Sequence, residues 1–549
     1  MQKSKKVQLP KWLLYLILIL LPVAFFVNLG VHPFIDDEGN RSLVALEMLW
    51  SGNFITPTLH GAYYYNKPPL WNWILSASFT LFGEANEWTA RFPSVIALMG
   101  FATTIFYYYR KHFSTEKAFL IALLFITSGR ILLWESLLAL IDISFSWAMF
   151  TMMMVIFHEG NRGRWWRLFL LSYLLMVIGF MFKGLPAIVF QGFTLITYLV
   201  WKKSFLRLFS IPHILSGLLS LVLLGIYYGI YQQYNSLEEV FSVLFVESGK
   251  RTAASYGLIE NIKHILSFPL EVFYHFLPWT FLILLAFRKK YRKRLNEAPI
   301  IIYGLLVFGV NIIVYWLSPN FYPRYILMLI PFSIAALLQM YPEQPLQKDW
   351  LINIVKGAGV FMICFLIIAS ITAVFIKETQ FINGLVLKAT MLTIASIFML
   401  YIYNKQRKSA WFVLIASMLL FRIGFDLFAV PPRVRTESRK QRIKISAINF
   451  GHRWEDRKLA VFCETDMEPA VSFYMEKTLD HIIPRHYENL QKGMFYIYNP
   501  DQYKTHLFEP AIDSFMVRHT SSPYYYVGKL LTSDTIAIKT ATIRGPYGF

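Results

Sequence analysis

Long apolar runs, separated by short polar segments, fill the chain as far as about residue 430. A helix that crosses a bilayer needs about 20 mostly apolar residues, so each run predicts one membrane span. The pattern predicts about thirteen transmembrane helices, at residues 12–29, 93–109, 118–133, 139–157, 168–182, 185–200, 209–231, 268–287, 300–317, 325–340, 352–375, 382–403 and 410–430.

The pattern changes after Pro431 and Pro432, where apolar runs shorten and charged residues become frequent. Such a shift is typical of a domain boundary. The predicted elements beyond it are a helix at 468–476 and strands at 458–464, 479–485 and 493–500. The predicted fold is therefore an α-helical polytopic membrane domain at 1–431, followed by a soluble α/β domain at 432–549.

Composition and charge agree with a membrane protein. The chain is 56% hydrophobic and 16% charged, whereas soluble proteins carry roughly a quarter charged residues. Its net charge is +20, and the basic residues fall largely in alternate loops, most densely at 288–294. Because basic loops face the cytoplasm, the N-terminus is predicted inside, with loops 31–92 and 232–267 and the C-terminal domain outside. Membrane lipids, and not nucleic acid, are the expected surroundings.

The loop between the first two predicted spans carries a specific series of motifs. Its elements are the acids Asp36, Asp37 and Glu38, then EMLWSG at 47–52, TPTLHG at 56–61, KPPLWNW at 67–73 and ARFPS at 90–94. This series resembles the aminoarabinose transferase and protein O-mannosyltransferase superfamily. FKGLPA at 182–187 and the segment at 318–338 extend the resemblance.

The resemblance implies both an architecture and a reaction. Members of this superfamily are membrane glycosyltransferases of the C type that use polyprenyl-phosphate sugars. The expected activity is transfer of a sugar, with inversion, to a lipid or envelope-glycan acceptor on the periplasmic face of a bacterial inner membrane. Protein O-mannosylation is the nearest alternative. The expected partners are a polyprenyl-phosphate-linked donor and a lipid, glycan or protein acceptor; the oligomeric state is not readable from the sequence.

Two aspartates match the acidic elements of the superfamily. Asp37 stands ten residues before Glu47 and is expected to orient and deprotonate the acceptor; the alternative is a loop of solvated acids. Asp142 begins a long apolar run downstream of Arg130 and Glu135, and an ionisable residue there is a functional candidate. Helix capping is the alternative for Asp142.

Cations are needed to neutralise the departing phosphate. Lys67, Lys183, Arg324 and Tyr325 match basic and aromatic positions of the superfamily and are expected to bind it. Lys67 precedes two prolines, which stiffen the backbone around it.

Further residues are candidates for the substrate pocket, namely Asp36, Glu38, Arg41, Tyr65, Glu247 and Arg251. Glu247 and Arg251 are four residues apart, so a surface ion pair on a helix is an equal alternative for them. Aromatic residues near Lys67 also suit a membrane interface.

The sequence departs from the aminoarabinose branch at two positions associated with a metal. Asn66 and Ser248 stand where that branch has glutamate and histidine, so no metal and no cofactor are predicted. Asn40 replaces an arginine of the branch, and Arg41 follows it; the sugar and the acceptor are therefore left open.

Two other classes of function fit a chain of this composition. A flippase for lipid-linked sugars predicts charges deep inside helices and internal repeats, whereas the charges here cluster in outer loops. A non-catalytic scaffold for envelope-glycan assembly would use the C-terminal domain to bind partners.

Overall fold

A computed structural model describes residues 8–35, 37–249, 257–342, 349–435, 438–518 and 523–533. Within these ranges the α-helices are α1 Lys11–Phe26, α2 Glu38–Ser51, α3 Leu70–Phe82, α4 Glu87–Tyr109, α5 Thr115–Ile126, α6 Gly129–Leu133, α7 Asp142–Asn161, α8 Trp165–Lys183, α9 Pro186–Trp201, α10 Ile211–Tyr231, α11 Leu237–Gly249, α12 Leu258–His275, α13 Lys289–Arg292, α14 Pro299–Trp316, α15 Ile330–Met340, α16 Trp350–Thr372, α17 Leu385–Lys405, α18 Ala410–Gly424, α19 Arg439–Trp454 and α20 Pro469–Leu479. The strands are β1 Thr58–Leu59, β2 Ala62–Tyr63, β3 Leu459–Phe462, β4 Arg485–His486, β5 Phe495–Tyr498, β6 Asp513–Met516 and β7 Tyr524–Lys529.

The predicted class, a polytopic helical protein with a small C-terminal sheet, is confirmed, but the predicted thirteen spans are not. The described residues contain seven helices long and apolar enough to cross a membrane, or eight if the bent pair Thr115–Ile126 and Gly129–Leu137 is one span. The other apolar runs form shorter helices, such as α1, α9 and α15, or break. Residues 268–287, for example, divide between the end of α12 and a 3-10 segment at Trp279–Phe287.

The chain divides into two compact units. The first unit comprises Met1–Leu29, Asn66–Pro68 and Ser94–Pro431, and the second comprises Gly30–Tyr65, Pro69–Pro93 and Pro432–Phe549. The division groups most of residues 31–92, the predicted first outer loop, with the C-terminal residues. The predicted domains instead kept this loop with the membrane part.

A buried ion pair in α18 and the turn after it joins three parts of the first unit. Arg422 Nε lies 2.7 Å from Asp426 Oδ2, and both side chains are fully buried. Arg422 also donates to the carbonyl of Leu132 and, at 2.9 Å, to Ser136 Oγ, while Asn28 donates to the carbonyl of Asp426 at 2.7 Å. Since apolar surroundings penalise unpaired charge, this pair fixes the position of the segment around Ser136.

The second unit contains a five-stranded sheet of order β4-β3-β5-β7-β6. β3 pairs in parallel with β4 and β5, and β7 runs antiparallel to β5 and β6. The predictions for 458–464, 468–476 and 493–500 are confirmed by β3, α20 and β5. Most of the strand predicted at 479–485 is wrong, because α20 continues to Leu479 and only the two-residue strand β4 follows.

The first outer loop supplies α2, α3 and a tight hairpin to the second unit. β1 and β2 pair with Leu59 opposite Ala62, so the turn residues are His60 and Gly61. Both have positive φ, +57° and +68°, as a type I′ hairpin turn requires. Glu47 of α2 holds this hairpin, because its carboxylate accepts hydrogen bonds from Thr58 Oγ1 and from the amides of His60 and Gly61.

The start of α2 packs directly against the start of α20. A Cβ atom on Gly39 would lie 2.6 Å from both the amide nitrogen and the Cα of Ala470. This distance is much shorter than a van der Waals contact. The atoms in the way belong to the main chain, which cannot move away as a flexible side chain can. Glycine is therefore required at residue 39 for the two helices to approach this closely.

We expect Gly39→Ala to lower the midpoint of thermal unfolding of the detergent-solubilised protein, since overpacking costs about 1–3 kcal/mol. The matched control is Gly225→Ala in α10, where an added Cβ meets nothing within 4 Å. Both glycines are helical, so alanine brings the same gain in helix propensity of about 1 kcal/mol. Equal midpoints for the two variants would contradict the close packing of α2 on α20.

Candidate functional site

Three predicted site residues meet in the first unit. Asp142 is the first residue of α7 and Lys183 is the last residue of α8, so two successive, packed helices bring these ends together. Lys183 Nζ lies 2.5 Å from Asp142 Oδ1, and Arg324 Nε lies 3.6 Å from Asp142 Oδ2. Asp142 is the first helical residue of α7, and its carboxylate contacts both of these cations.

This cluster is buried and holds two cations next to each other. Asp142, Lys183 and Arg324 are 7%, 6% and 4% exposed. Among the described side chains, one carboxylate contacts both cations, in surroundings where charge is weakly screened. An anion that reached it would be attracted, and the planar guanidinium of Arg324 suits the oxygens of a phosphate.

Aromatic rings complete the surroundings of the two cations. Lys183 Nζ lies 4.1 Å from the ring centre of Tyr325 and 5.3 Å from that of Phe145. Arg324 Cζ lies 4.5 Å from the ring centre of Tyr322. These are cation–π distances, so the rings hold the cations in place. The structure thus brings predicted Tyr325 to the cluster and adds Phe145 and Tyr322, which the motifs did not single out.

A second ion pair lies on the connection that leads to Asp142. Arg130 Nε is 2.6 Å from Glu135 Oε1, and Glu135 is 1% exposed. The charges of Arg324 and Asp142 act on Glu135, so the two pairs are electrostatically coupled. Neither residue was in the predicted site, although charged residues between two apolar runs are a signal that could have found them.

The remaining predicted residues of the first unit are less well defined. Lys67 Nζ donates to the carbonyl of Asn66 at 3.0 Å. Glu247 lies in α11, but its side chain, together with all of Arg251, is outside the described residues. Their predicted roles stay predictions.

In the second unit, the predicted pocket residue Glu38 is the partner of a buried arginine. Arg91 Nε and Nη2 lie 2.8 and 3.1 Å from its two carboxylate oxygens. Arg91 also donates to the carbonyls of His32 and Pro33, at 2.9 and 3.3 Å. Glu38 is fully buried, so in this structure it supports the framework of the loop, and its predicted place in a substrate pocket stays a prediction.

Asp37 differs from its neighbour in being exposed. It immediately precedes α2 and makes no capping hydrogen bond with its side chain. The fixed carboxylate of Glu38 follows it directly, so the backbone is anchored while the Asp37 side chain faces solvent. Asp36 is outside the described residues.

Arg41 and Tyr65 were the other pocket candidates of this loop. Arg41 is 5% exposed and donates to the hydroxyl of Tyr64 at 2.6 Å. Tyr65 is half-buried, and its ring centre lies 6.4 Å from that of Tyr63. Arg41 is thus bound to a neighbouring side chain, whereas Tyr65 keeps part of its ring accessible.

Metal binding is not suggested by the described side chains. Within the described ranges, no group of three or more histidine, cysteine, aspartate or glutamate residues lies close enough to hold an ion. The prediction from Asn66 and Ser248 stays a prediction.

Comparison with known proteins bears on the motifs and on the fold. A family model described as dolichyl-phosphate-mannose-protein mannosyltransferase matches residues 66–228. An arabinosyl transferase of Pseudomonas fluorescens, named undecaprenyl phosphate-alpha-4-amino-4-deoxy-L-arabinose arabinosyl transferase 2, is 24% identical over 360 residues. An uncharacterized protein of Aquifex aeolicus is 28% identical over 312 residues.

These alignments are partial. They cover 63% of this chain and 64% of the Pseudomonas protein, and 56% of this chain and 67% of the Aquifex protein. The chain thus spans about two thirds of the length of the curated relatives it matches.

The fold has a counterpart among solved structures. The crystal structure of ArnT from Cupriavidus metallidurans bound to undecaprenyl phosphate matches with a TM-score of 0.66 and 16% sequence identity. The match covers 94% of this chain and 98% of that chain, so it includes the C-terminal sheet as well as the helices. The chain is thus similar in sequence to these transferases over part of its length, and it shares the fold of the Cupriavidus structure.

Proposed function

We propose that this protein transfers a sugar from a polyprenyl-phosphate carrier to a lipid or envelope-glycan acceptor. The observation that carries the proposal is the buried cluster of Asp142, Lys183 and Arg324, whose two fixed cations suit a departing phosphate. The nature of the carrier is supported by the Pseudomonas relative, which is named for undecaprenyl phosphate, and by the Cupriavidus structure, which binds it.

The proposed reaction is a single displacement at the anomeric carbon of the sugar. A bond forms between that carbon and the acceptor oxygen, while the bond from the same carbon to the phosphate oxygen breaks. The electron pair of the broken bond leaves on the phosphate, and the proton of the acceptor passes to a carboxylate. One displacement inverts the configuration of the anomeric carbon.

We assign stabilisation of the leaving phosphate to Lys183 and Arg324. Negative charge grows on the phosphate as the bond to the sugar breaks, and cations fixed beforehand lower the energy of that state without having to reorganise. Asp142 contacts both cations, so we assign it the orientation of these groups. Lys67 and Tyr325 are proposed as further contacts of the donor.

We assign to Asp37 the role of general base, which takes the proton from the acceptor. Its carboxylate is exposed at a well-anchored position of the loop, and it matches the first acidic motif of the superfamily. A positioned carboxylate acting as a general base contributes about 10²–10⁴-fold to a rate. Tyr65 is proposed to contact the acceptor or the sugar.

The location and the acceptor follow from the same proposal. Basic loops facing the cytoplasm would place the first outer loop and the C-terminal residues on the periplasmic side of a bacterial inner membrane. A protein acceptor is the second candidate, because the matching family model describes mannosyltransferases that act on proteins.

We expect Lys183→Gln to reduce kcat/KM for sugar transfer by about 10²–10³-fold, the usual effect of removing one group that stabilises developing negative charge. The measurement follows labelled sugar from a panel of undecaprenyl-phosphate-linked donors into membrane lipids, glycans and proteins. The same panel identifies the donor and separates the two acceptor classes.

The matched control for this variant is Lys290→Gln. Lys290 also contacts an aspartate, with its Nζ 2.5 Å from Asp349 Oδ2, but it lies in another part of the same unit and its side chain is 47% exposed. We expect wild-type transfer from it. If Lys183→Gln transfers as well as this control, the phosphate role assigned to the cluster is wrong.

We expect Asp37→Asn to lower kcat by about 10²–10⁴-fold, because the amide cannot take the acceptor proton at neutral pH. Asp456→Asn, an exposed aspartate of the same unit, serves as its control in the same assay. Undiminished transfer by Asp37→Asn would remove Asp37 from the mechanism, and no transfer by the wild type from any donor would favour a flippase or a scaffold.

A further inference from the structure

Helix α20 contacts the segment around Asp37 and Glu38, here called the acidic loop, through the hydroxyl of Tyr474. This oxygen accepts a hydrogen bond from the amide of Phe34 at 2.8 Å and donates to Glu87 Oε1, also at 2.8 Å. Lys444 contacts the same carboxylate oxygen of Glu87. Burial, and next the negative charge of Glu87, raise the pKa of Tyr474, so the hydroxyl keeps the proton that it donates to Glu87.

The side chain of Phe34 is held by the same helix. Its ring lies edge-on to Phe473 at 4.9 Å and stacks on Tyr474 at 5.9 Å between centres. Arg91, the partner of Glu38, lies 5.8 Å from the centre of the Phe34 ring. Phe34 is therefore fixed through both its main chain and its side chain.

A third contact of α20 lies on the other side of Asp37. Ala470 meets Gly39 so closely that no side chain fits between them. Asp37 stands between Phe34 and Gly39, three residues after one and two before the other. One helix thus fixes the backbone on both sides of the exposed aspartate.

The same helix is anchored on the hairpin of the first outer loop. His60 Nε2 lies 3.2 Å from Ser472 Oγ, and His60 Nδ1 lies 3.3 Å from Glu476 Oε1. Burial lowers the pKa of His60 to about 3 and raises that of Glu476, so the contact joins uncharged groups. The order serine, histidine, carboxylate is that of a nucleophilic triad, but all three side chains are at most 1% exposed, which excludes a substrate and leaves an anchoring role.

We propose that α20 holds the acidic loop in the conformation required for transfer, and that Tyr474 is its positioning residue. The proposal rests on the function assigned to Asp37. It gives the C-terminal part of the second unit a role in the reaction, because α20 fixes the backbone on both sides of Asp37, the proposed general base. A displacement of about 1 Å in a reacting group can cost about a hundredfold in rate.

The first test is hydrogen exchange of the detergent-solubilised full chain with the variant Tyr474→Phe. This change keeps the ring and removes the hydroxyl. We expect peptides that contain the Phe34 amide to exchange about fivefold faster or more, since that buried donor loses its acceptor. Unchanged exchange in this region would overturn the proposal.

The matched control is Tyr503→Phe in the core beside the sheet. The Tyr503 hydroxyl accepts a hydrogen bond from the amide of Glu464 at 3.0 Å, and the residue is 3% exposed. Its replacement removes a comparable bond away from the acidic loop. We expect it to leave exchange at Phe34 unaltered, and an equal increase in both variants would mean general loosening of the unit and not positioning.

The second test compares kinetics with the labelled undecaprenyl-phosphate donors. We expect Tyr474→Phe to lower kcat by about tenfold or more and to leave the donor KM within about twofold, because the residues assigned to the donor phosphate are unchanged. Tyr503→Phe should match the wild type in both. Faster exchange at Phe34 with an unchanged kcat would overturn the role of Tyr474 in transfer, whereas full activity of Asp37→Asn would overturn the proposed function and leave the exchange result standing.

Discussion

A charged side chain that leaves water needs a partner of opposite charge, and the arrangement of both units depends on this constraint. In the first unit Asp142 is buried with Lys183, and in the second Glu38 is buried with Arg91. Breaking such a pair costs far more than the pair itself contributes, because one charge is then left in apolar surroundings. Each pair therefore ties its segments of chain together.

The two carboxylates nevertheless differ in the number of cations that surround them. The carboxylate of Glu38 is matched by one guanidinium, which also uses its remaining donors on the carbonyls of His32 and Pro33. The carboxylate of Asp142 is shared by two cations, Lys183 and Arg324. The proposed phosphate role requires adjacent cations, and within the described residues the cluster at Asp142 provides them.

Motifs in the sequence identified the residues of the first-unit cluster one by one, but not their contacts. Asp142 begins α7 and Lys183 ends α8, the next helix, so the contact between them could have been predicted from the sequence. Arg324, in contrast, comes from a segment far along the chain. Glu38 was predicted to line a substrate pocket because it is a neighbour of Asp37, and its observed partner, Arg91, is 53 residues away. Neither hydrophobic periodicity nor motif spacing carries information about such a partner.

The predicted number of spans was not confirmed for a related reason. Hydropathy records how apolar a segment is, but not whether it faces lipid or protein, nor where its helix ends. α7 is apolar and largely buried inside the protein, and α15 is apolar but only 11 residues long. The short elements of the C-terminal sheet were predicted better, since their alternating or compact apolar patterns have the length of single strands.

The bond between Tyr474 and the amide of Phe34 joins residues that are 440 positions apart. At the usual rate of synthesis, of about 5–20 residues per second, the ribosome makes the second partner roughly 20–90 s after the first. During that interval the acidic loop lacks the helix that shapes it. The contacts of Phe34 with α20 can consequently form only after residue 474 has been made, and a nascent or truncated product that ends before α20 carries the acidic motif without them.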